Sequence, residues 1–328
     1  MADPITTPRN SNIEIVGNTQ IDRNPAAVYL ARLADGSKRG QRGALDRMAS
    51  LLTKDEMLDC YAFPWHALRY QHTAALRARV ADLYAPATAN KFLSALRGVL
   101  KEAWRLGLMS AEDYRRAADL QSVRGKREPA GHDVTQGEIF ALISTCIDDK
   151  KTSSGIRDAA IIALMYACGP RRQEVAMIDY KDYNQQTGQL RIIGKGNKER
   201  FVYLQKSNGA YEAIADWLTI RGIEPGPLFY PINKGGHVVR KTRGISPQAI
   251  YNILHKRGVE ACIAKFSPHD LRRTFVSEML DAGADISTIA KLAGHANVST
   301  TARYDRRNEE TKRKAAGLIH VPYTSHQD

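Results

Sequence analysis

Four short stretches carry residues that could do chemistry. CGPRRQEVAMI holds Arg171 with Glu174 three residues on, and IIGKGNKERFVYL holds Lys195. SPHDLRRTF holds His269 and Arg272 one helical turn apart, and LAGHANVSTTARYDRR holds His295 and Tyr304. Each residue has an ordinary reading. Arg171 could pair with Glu174 as a helix i,i+3 contact. Lys195 could be a solvated residue in a GKGNK turn, and Ser267-Pro268 makes a helix start that needs nothing from His269. Gly294 has the position of a helix C′ residue, with His295 trailing it.

Together the residues match the needs of a tyrosine that attacks a phosphodiester. A phenol titrates near pH 10, so its proton needs a positive field or a nearby base. Charge on the nonbridging oxygens must be met by preorganised donors, and two guanidinium forks suit that. The leaving 5′-oxygen needs a proton, which a lysine on a hairpin could deliver. The sequence has no carboxylate cluster, HExxH or P-loop, so a two-metal nuclease is disfavoured and no cofactor is expected.

The elements that must position these residues follow from pattern. PAAVYLARL and RGALDRMASLLT are predicted helices separated by ADGSKRG, and another helix is expected from about Trp65 to Leu83. In TANKFLSALRGVLKEAWRLGLM, Thr88 is the expected N-cap, and Phe92, Leu96, Val99 and Ala103 recur at helical spacing, with Leu93, Leu100 and Trp104 beside them. Residues 121–133, QSVRGKREPAGHD, have no period and form the expected linker. Beyond it, TQGEIFALISTCI is helical with Thr135 as cap, and GIRDAAIIALMYACG is a buried helix. GQLRIIG and ERFVYL form a hairpin, and everything from Ser246 on is helical. The expected layout is a tail over 1–23, a helical domain over 24–120, a linker over 121–133 and a mainly α domain with a small antiparallel sheet over 134–328.

Composition narrows the partner. The chain has 328 residues and a net charge of +13. Residues 1–132 carry 20 Lys and Arg against 14 Asp and Glu; the remainder carries 28 against 21. A basic excess in both halves favours a polyanion gripped from two sides. Residues 69–127 hold 12 basic and 5 acidic residues, as a surface that tracks phosphates would. Lys91, Arg97, Lys101, Arg105, Arg124 and Lys126 are the candidate DNA contacts there; a solvated face is the plainer alternative. The scattered cysteines Cys60, Cys146, Cys168 and Cys262 suggest buried thiols in a cytosolic chain. No run of 18 apolar residues occurs, so no membrane partner is expected.

The four stretches, in this order, resemble the boxes of the tyrosine recombinases, or phage-type integrases. GPRRQE resembles their Gly-Leu-Arg box, GKGNKER their Xer-type hairpin, PHDLRRTF their His-x-x-Arg box and LAGHANVSTTARY the box that ends at the tyrosine. The resemblance runs from about Asn24 and is Xer-like and two-domain. It implies a helical core-binding domain and a catalytic domain forming a C-shaped clamp on DNA. It implies that Arg171 and Arg272 hold the scissile phosphate and that Lys195 protonates the leaving 5′-oxygen. It further implies that His269 assists proton transfer, His295 donates to a phosphate oxygen and Tyr304 forms a 3′-phosphotyrosine. Glu174 would support Arg171. Pro170 departs from the family's leucine, which would shift the start of the Arg171 helix. The implied partners are a double-stranded recombination site, a homotetramer on two duplexes and an accessory or related recombinase, in a prokaryotic cytoplasm at the nucleoid. After Tyr304, KRKAAGLIHVPY contains an apolar patch expected to dock on a neighbouring protomer. The competing readings are a type IB-like topoisomerase, a DNA-binding protein without chemistry on the same fold, and a helix-turn-helix regulator, which explains the charge but not the boxes.

Overall fold

The computed structural model describes residues 23–53, 55, 57–125, 132–149, 152–194, 196–240, 243–305 and 316. Lys126, Lys195 and most of the segment after Tyr304 lie outside the described residues, as does residues 1–22 of the expected tail. The chain divides into two compact units, Met1–Pro129 and Ala130–Asp328. Among the described residues no helix is long and apolar enough to cross a membrane.

The first unit is helical. Asn24 opens α1 (Pro25–Ala31) by accepting from the amides of Ala26 and Ala27. Then follow α2 (Asp35–Thr53), a 3₁₀ turn at Trp65–Ala67, α3 (Tyr70–Leu83), α4 (Pro86–Arg105) and α5 (Ala111–Ala118). The core gathers on α4, where Leu93, Leu96, Val99, Leu100 and Ala103 are fully buried. Gly98 lets α1 approach, because a Cβ there would come within 2.2 Å of the Tyr29 ring.

Four expectations for this unit change, the first being the helix from about Trp65, which is a 3₁₀ turn and an extended Leu68 before α3 begins at Tyr70. ADGSKRG is not a break, since α2 starts at Asp35, whose carboxylate takes Lys38 Nζ at 2.7 Å in a first turn that favours acidic residues. Thr88 is not the cap: Pro86 occupies the first turn, and Ala85 is the N-cap. Trp104 is 40% exposed and stacks on Tyr114 at 5.4 Å rather than joining the core.

The second unit packs helices around the apolar α7 (Thr152–Cys168), with a three-stranded sheet at one side. Thr135 and Glu138 form the capping box of α6 (Gln136–Ile147). The short α8 (Arg172–Met177) leads into β1 (Tyr183–Asn184), β2 (Gln189–Ile193) and β3 (Glu199–Tyr203), antiparallel in the order β1-β2-β3. The β2–β3 register runs from Gln189↔Tyr203 to Ile193↔Glu199. Strand β1 and α9 (Gly209–Arg221) were not expected from the pattern; α9 buries Trp217, whose indole donates to Leu228 O at 2.8 Å. Next come α10 (Pro247–Glu260), α11 (Pro268–Asp281), α12 (Ile286–Ala293) and α13 (Val298–Ala302).

A buried carboxylate pins α7 to α10. Asp158 accepts from Arg257 Nη2 and from Arg157 Nη2, both at 2.7 Å. A smaller core of Phe275, Val276, Leu280, Ile289 and Ala293 joins α11 to α12, and Tyr304 packs against it. Cys60, Cys146 and Cys168 are buried, but Cys262 is exposed, in a left-handed turn (φ 53) just past α10. The expectation of four buried thiols therefore fails at Cys262, where the helix has ended and no core remains to cover it.

Candidate active site

Arg171 lies past the end of the apolar helix. Helix α7 stops at Cys168, and Gly169 turns the chain with φ +57, where a Cβ would lie 2.5 Å from the Phe275 ring. Arg171 is the N-cap of α8. Pro170 therefore precedes the helix, and its ring does not enter the first turn. Glu174 closes a capping box: Oε2 accepts the Arg171 amide and Oε1 accepts Arg171 Nη1, each at 2.8 Å. One carboxylate thus starts the helix and aims the guanidinium. Arg171 Nη2 donates to Gly294 O at 3.1 Å.

Helix α11 delivers the second arginine. Ser267 and Asp270 form its capping box, with Pro268 in the first turn. Arg272 is 3% exposed, and its Nη1 donates to Gly169 O at 2.7 Å. Its Nη2 is buried without a hydrogen-bond partner among the described residues. A buried cation with an unused donor is costly unless an anion completes it. Burial, and then repulsion from Arg171, pull Arg272 down to about 10. His269, from the same helix, places Nε2 3.5 Å from Tyr304 Oη. Burial and then Arg272 lower its proton affinity.

Helix α12 ends in a Schellman motif. His295 N donates to Ala290 O at 2.9 Å and Gly294 N to Lys291 O at 3.1 Å, with Gly294 left-handed at φ +67. The turn releases His295, whose Nδ1 lies 2.8 Å from the hydroxyl of the fully buried Thr301. Asn297 caps α13, and Tyr304 N donates to Thr301 O at 2.9 Å. The His295 and Tyr304 rings stack with centroids 6.5 Å apart. Burial, then Arg272, Arg171 and His269, pull His295 down to about 4.

Arg171, His269, Arg272, His295 and Tyr304 therefore converge in one place. Lys195 lies outside the described residues, between Gly194 and Gly196. Two members were missed. Arg200 on β3 donates to both oxygens of Glu174, at 3.2 and 2.6 Å, and to Leu292 O at 2.8 Å. Strand alternation marks Arg200 only as inward-facing, on the side of the buried Val202. The second is Thr301, which holds His295 Nδ1 and was not among the expected site residues. The arginines adjacent to the site turn away: Arg172 lies over the Tyr251 ring at 5.7 Å, and Arg273 donates to Asp133 at 2.8 Å.

The candidate DNA contacts divide. Lys91, Lys101 and Arg124 are exposed. Arg97 donates to Leu120 O, and Arg105 pairs with Glu102 at 3.1 Å. Elsewhere in the first unit Asp46, Asp59 and Cys60 stand close enough to share an ion, which the sequence did not suggest. Burial and the two carboxylates raise the Cys60 thiol, and Arg42 pairs with both acids, so the group fits a structural cluster better than a metal centre.

Arg171 and Arg200 on a single carboxylate, with the buried Arg272 beside them, make an anion cradle next to a tyrosine. Residues 133–311 match the phage integrase family model. The chain belongs to the phage integrase family. Among curated relatives, it is 32% identical to tyrosine recombinase XerD of Staphylococcus epidermidis over 56% of this chain and 60% of that protein. It is 29% identical to XerD of Pseudomonas aeruginosa over 87% of this chain and 91% of that one. It is 35% identical to XerC of Pelobacter propionicus over 65% and 66%. The chain thus spans less than two thirds of the Staphylococcus relative it matches. Solved integrases share the fold: a lambda integrase (75–356) dimer bound to a COC′ core site has a TM-score of 0.63 at 13% identity, covering 88% of this chain and 96% of that one. XerH recombinase bound to a palindromic difH substrate has a TM-score of 0.59 at 19% identity, covering 83% and 75%.

Proposed function

We propose that this integrase-family chain is a site-specific DNA recombinase with Tyr304 as its nucleophile. The observation that carries the reading is Arg272 Nη2, buried and without a hydrogen-bond partner among the described residues, in the same cradle as Arg171, His269 and Tyr304. Tyr304 Oη attacks the scissile phosphorus. The Oη–P bond forms, the P–O5′ bond breaks, and the phenol proton passes toward His269 Nε2. Arg171 and Arg272 hold the nonbridging oxygens, His295 donates to one of them through Nε2, and Lys195 supplies the proton to the leaving 5′-oxygen. A 5′-hydroxyl from a partner strand then attacks the phosphotyrosine and releases Tyr304. One phosphodiester is exchanged for another at each step, so the reaction consumes no ATP and needs no metal.

In the fuller reading, four protomers hold two double-stranded sites and pass through a Holliday junction. Each protomer binds duplex DNA, with Lys91, Lys101 and Arg124 on backbone phosphates. The setting is the prokaryotic cytoplasm at the nucleoid, with an accessory or related recombinase as a further partner. The test is a plasmid carrying two copies of the duplex that the protein captures covalently from a randomised library. Resolution into two circles, dependent on both copies, supports recombination. Relaxation of supercoils without exchange, or on plasmids lacking the duplex, would make it a topoisomerase.

A further inference from the structure

Glu174 is 4% exposed, yet two guanidiniums grip it rather than one. The two have different surroundings. Arg200 is 9% exposed at its side chain and directs its donors into the protein: Nη1 and Nη2 to Glu174, and Nε to Leu292 O. Arg171 is 43% exposed at its side chain and stays open on the site. Burial works against the charge on Glu174, but the hydrogen bonds from Arg200 and Arg171 outweigh it, so the carboxylate is held ionised.

The charge balance then decides what a phosphate meets. A buried carboxylate paired with Arg171 alone would sum to zero where phosphate charge must be offset. With Arg200 included, the trio keeps one positive charge, and its outward member is Arg171. Arg200 also lies against the turn that presents His295, because a Cβ on Gly294 would come within 2.8 Å of its Nη1.

We propose that Arg200 is a positioning residue for strand cleavage: it neutralises Glu174, so that Arg171 acts on the phosphate with its charge undiminished, and it ties β3 to the end of α12 beside His295. This inference rests on the recombinase reading above.

The test compares Arg200→Met, Arg200→Lys and the double variant Glu174→Gln/Arg200→Met as full chains. The first measure is the rate of covalent adduct formation on a nicked duplex captured from the randomised library. Arg200→Met should slow cleavage by about ten- to a hundredfold, at or below the scale of losing one donor that acts directly on the transition state. Arg200→Lys, which keeps the charge without the fork, should fall between. The double variant, which removes the buried anion with its counter-ion, should recover at least about tenfold over Arg200→Met if charge balance governs the step. A purely architectural role predicts a further loss on the second substitution.

The second measure needs no DNA. The His295 imidazole faces Arg272, Arg171, His269 and Arg200. Its titration, followed by NMR, should move up in Arg200→Met and return toward wild type in the double variant. If Arg200→Met does not fold, Arg200→Gln with and without Glu174→Gln carries the same comparison. Failure of the wild type to form any adduct would count against the recombinase reading, while the titration would still decide the charge balance. Cleavage at wild-type rate in Arg200→Met, or no return of either measure in the double variant, overturns the proposal.

Discussion

Thr301 shows how much one hydroxyl can settle. It is fully buried, and its oxygen lies 2.8 Å from His295 Nδ1. With His295 neutral, a hydroxyl donating to Nδ1 leaves the proton on Nε2, the tautomer that can donate to a phosphate oxygen. Thr301→Val keeps the shape and removes that control. Cleavage should fall by about ten- to a hundredfold, at or below the scale of one lost donor, and Thr301→Ser should restore it. Wild-type cleavage by Thr301→Val would end this account of His295. The same histidine gives a pH prediction. Its folded-state value is pulled down to about 4 from an ordinary 6.5, so the unfolded chain takes up the proton first on acidification. The stability it contributes is complete above about pH 6.5 and is lost as pH falls toward 4. The melting temperature should drop across that window, and less steeply in His295→Gln. Parallel slopes would show that His295 is not the titrating group.

Elements, rather than single residues, bring the site together, and glycines set their joints. Gly169 combines a positive φ with a contact of 2.5 Å between a would-be Cβ and Phe275, and its carbonyl holds Arg272. Gly169→Ala should cost about 1–3 kcal/mol in stability, read by calorimetry, and slow cleavage as well. Gly43, inside α2 with nothing within 4 Å, should accept alanine with no loss or a small gain. Equal destabilisation at both positions would refute the steric argument. Much of this layer was legible in the sequence. Thr135 with Glu138, Ser267 with Pro268, and Gly294 are local signals whose physics acts within a few residues. Arg200 was not legible as part of the site, because its partners, Glu174 and Leu292, come from two distant elements. The length of α2 was hidden because Gly36 and Gly40 suggest a break, while the Asp35–Lys38 pair supports a helical first turn. The exposure of Trp104 depends on Tyr114, which belongs to a different helix.

At the scale of the molecule, basic charge in both units implies binding that weakens steeply with salt. Lys91→Ala and Lys101→Ala should each reduce the slope of log affinity against log salt by about 1, measured by fluorescence anisotropy on a labelled duplex. Arg97→Ala should mainly lower stability, since that side chain serves the Leu120 carbonyl. A slope change at Arg97 as large as that at Lys101 would reverse these assignments. The measurement that tests the central claim most directly is covalent capture on a nicked suicide duplex in EDTA, comparing wild type with Tyr304→Phe. The account predicts a protein–DNA adduct for wild type, none for Tyr304→Phe, and a nucleotide on the Tyr304 peptide by mass spectrometry. An adduct that survives Tyr304→Phe, or one that forms only with a divalent ion present, would contradict it.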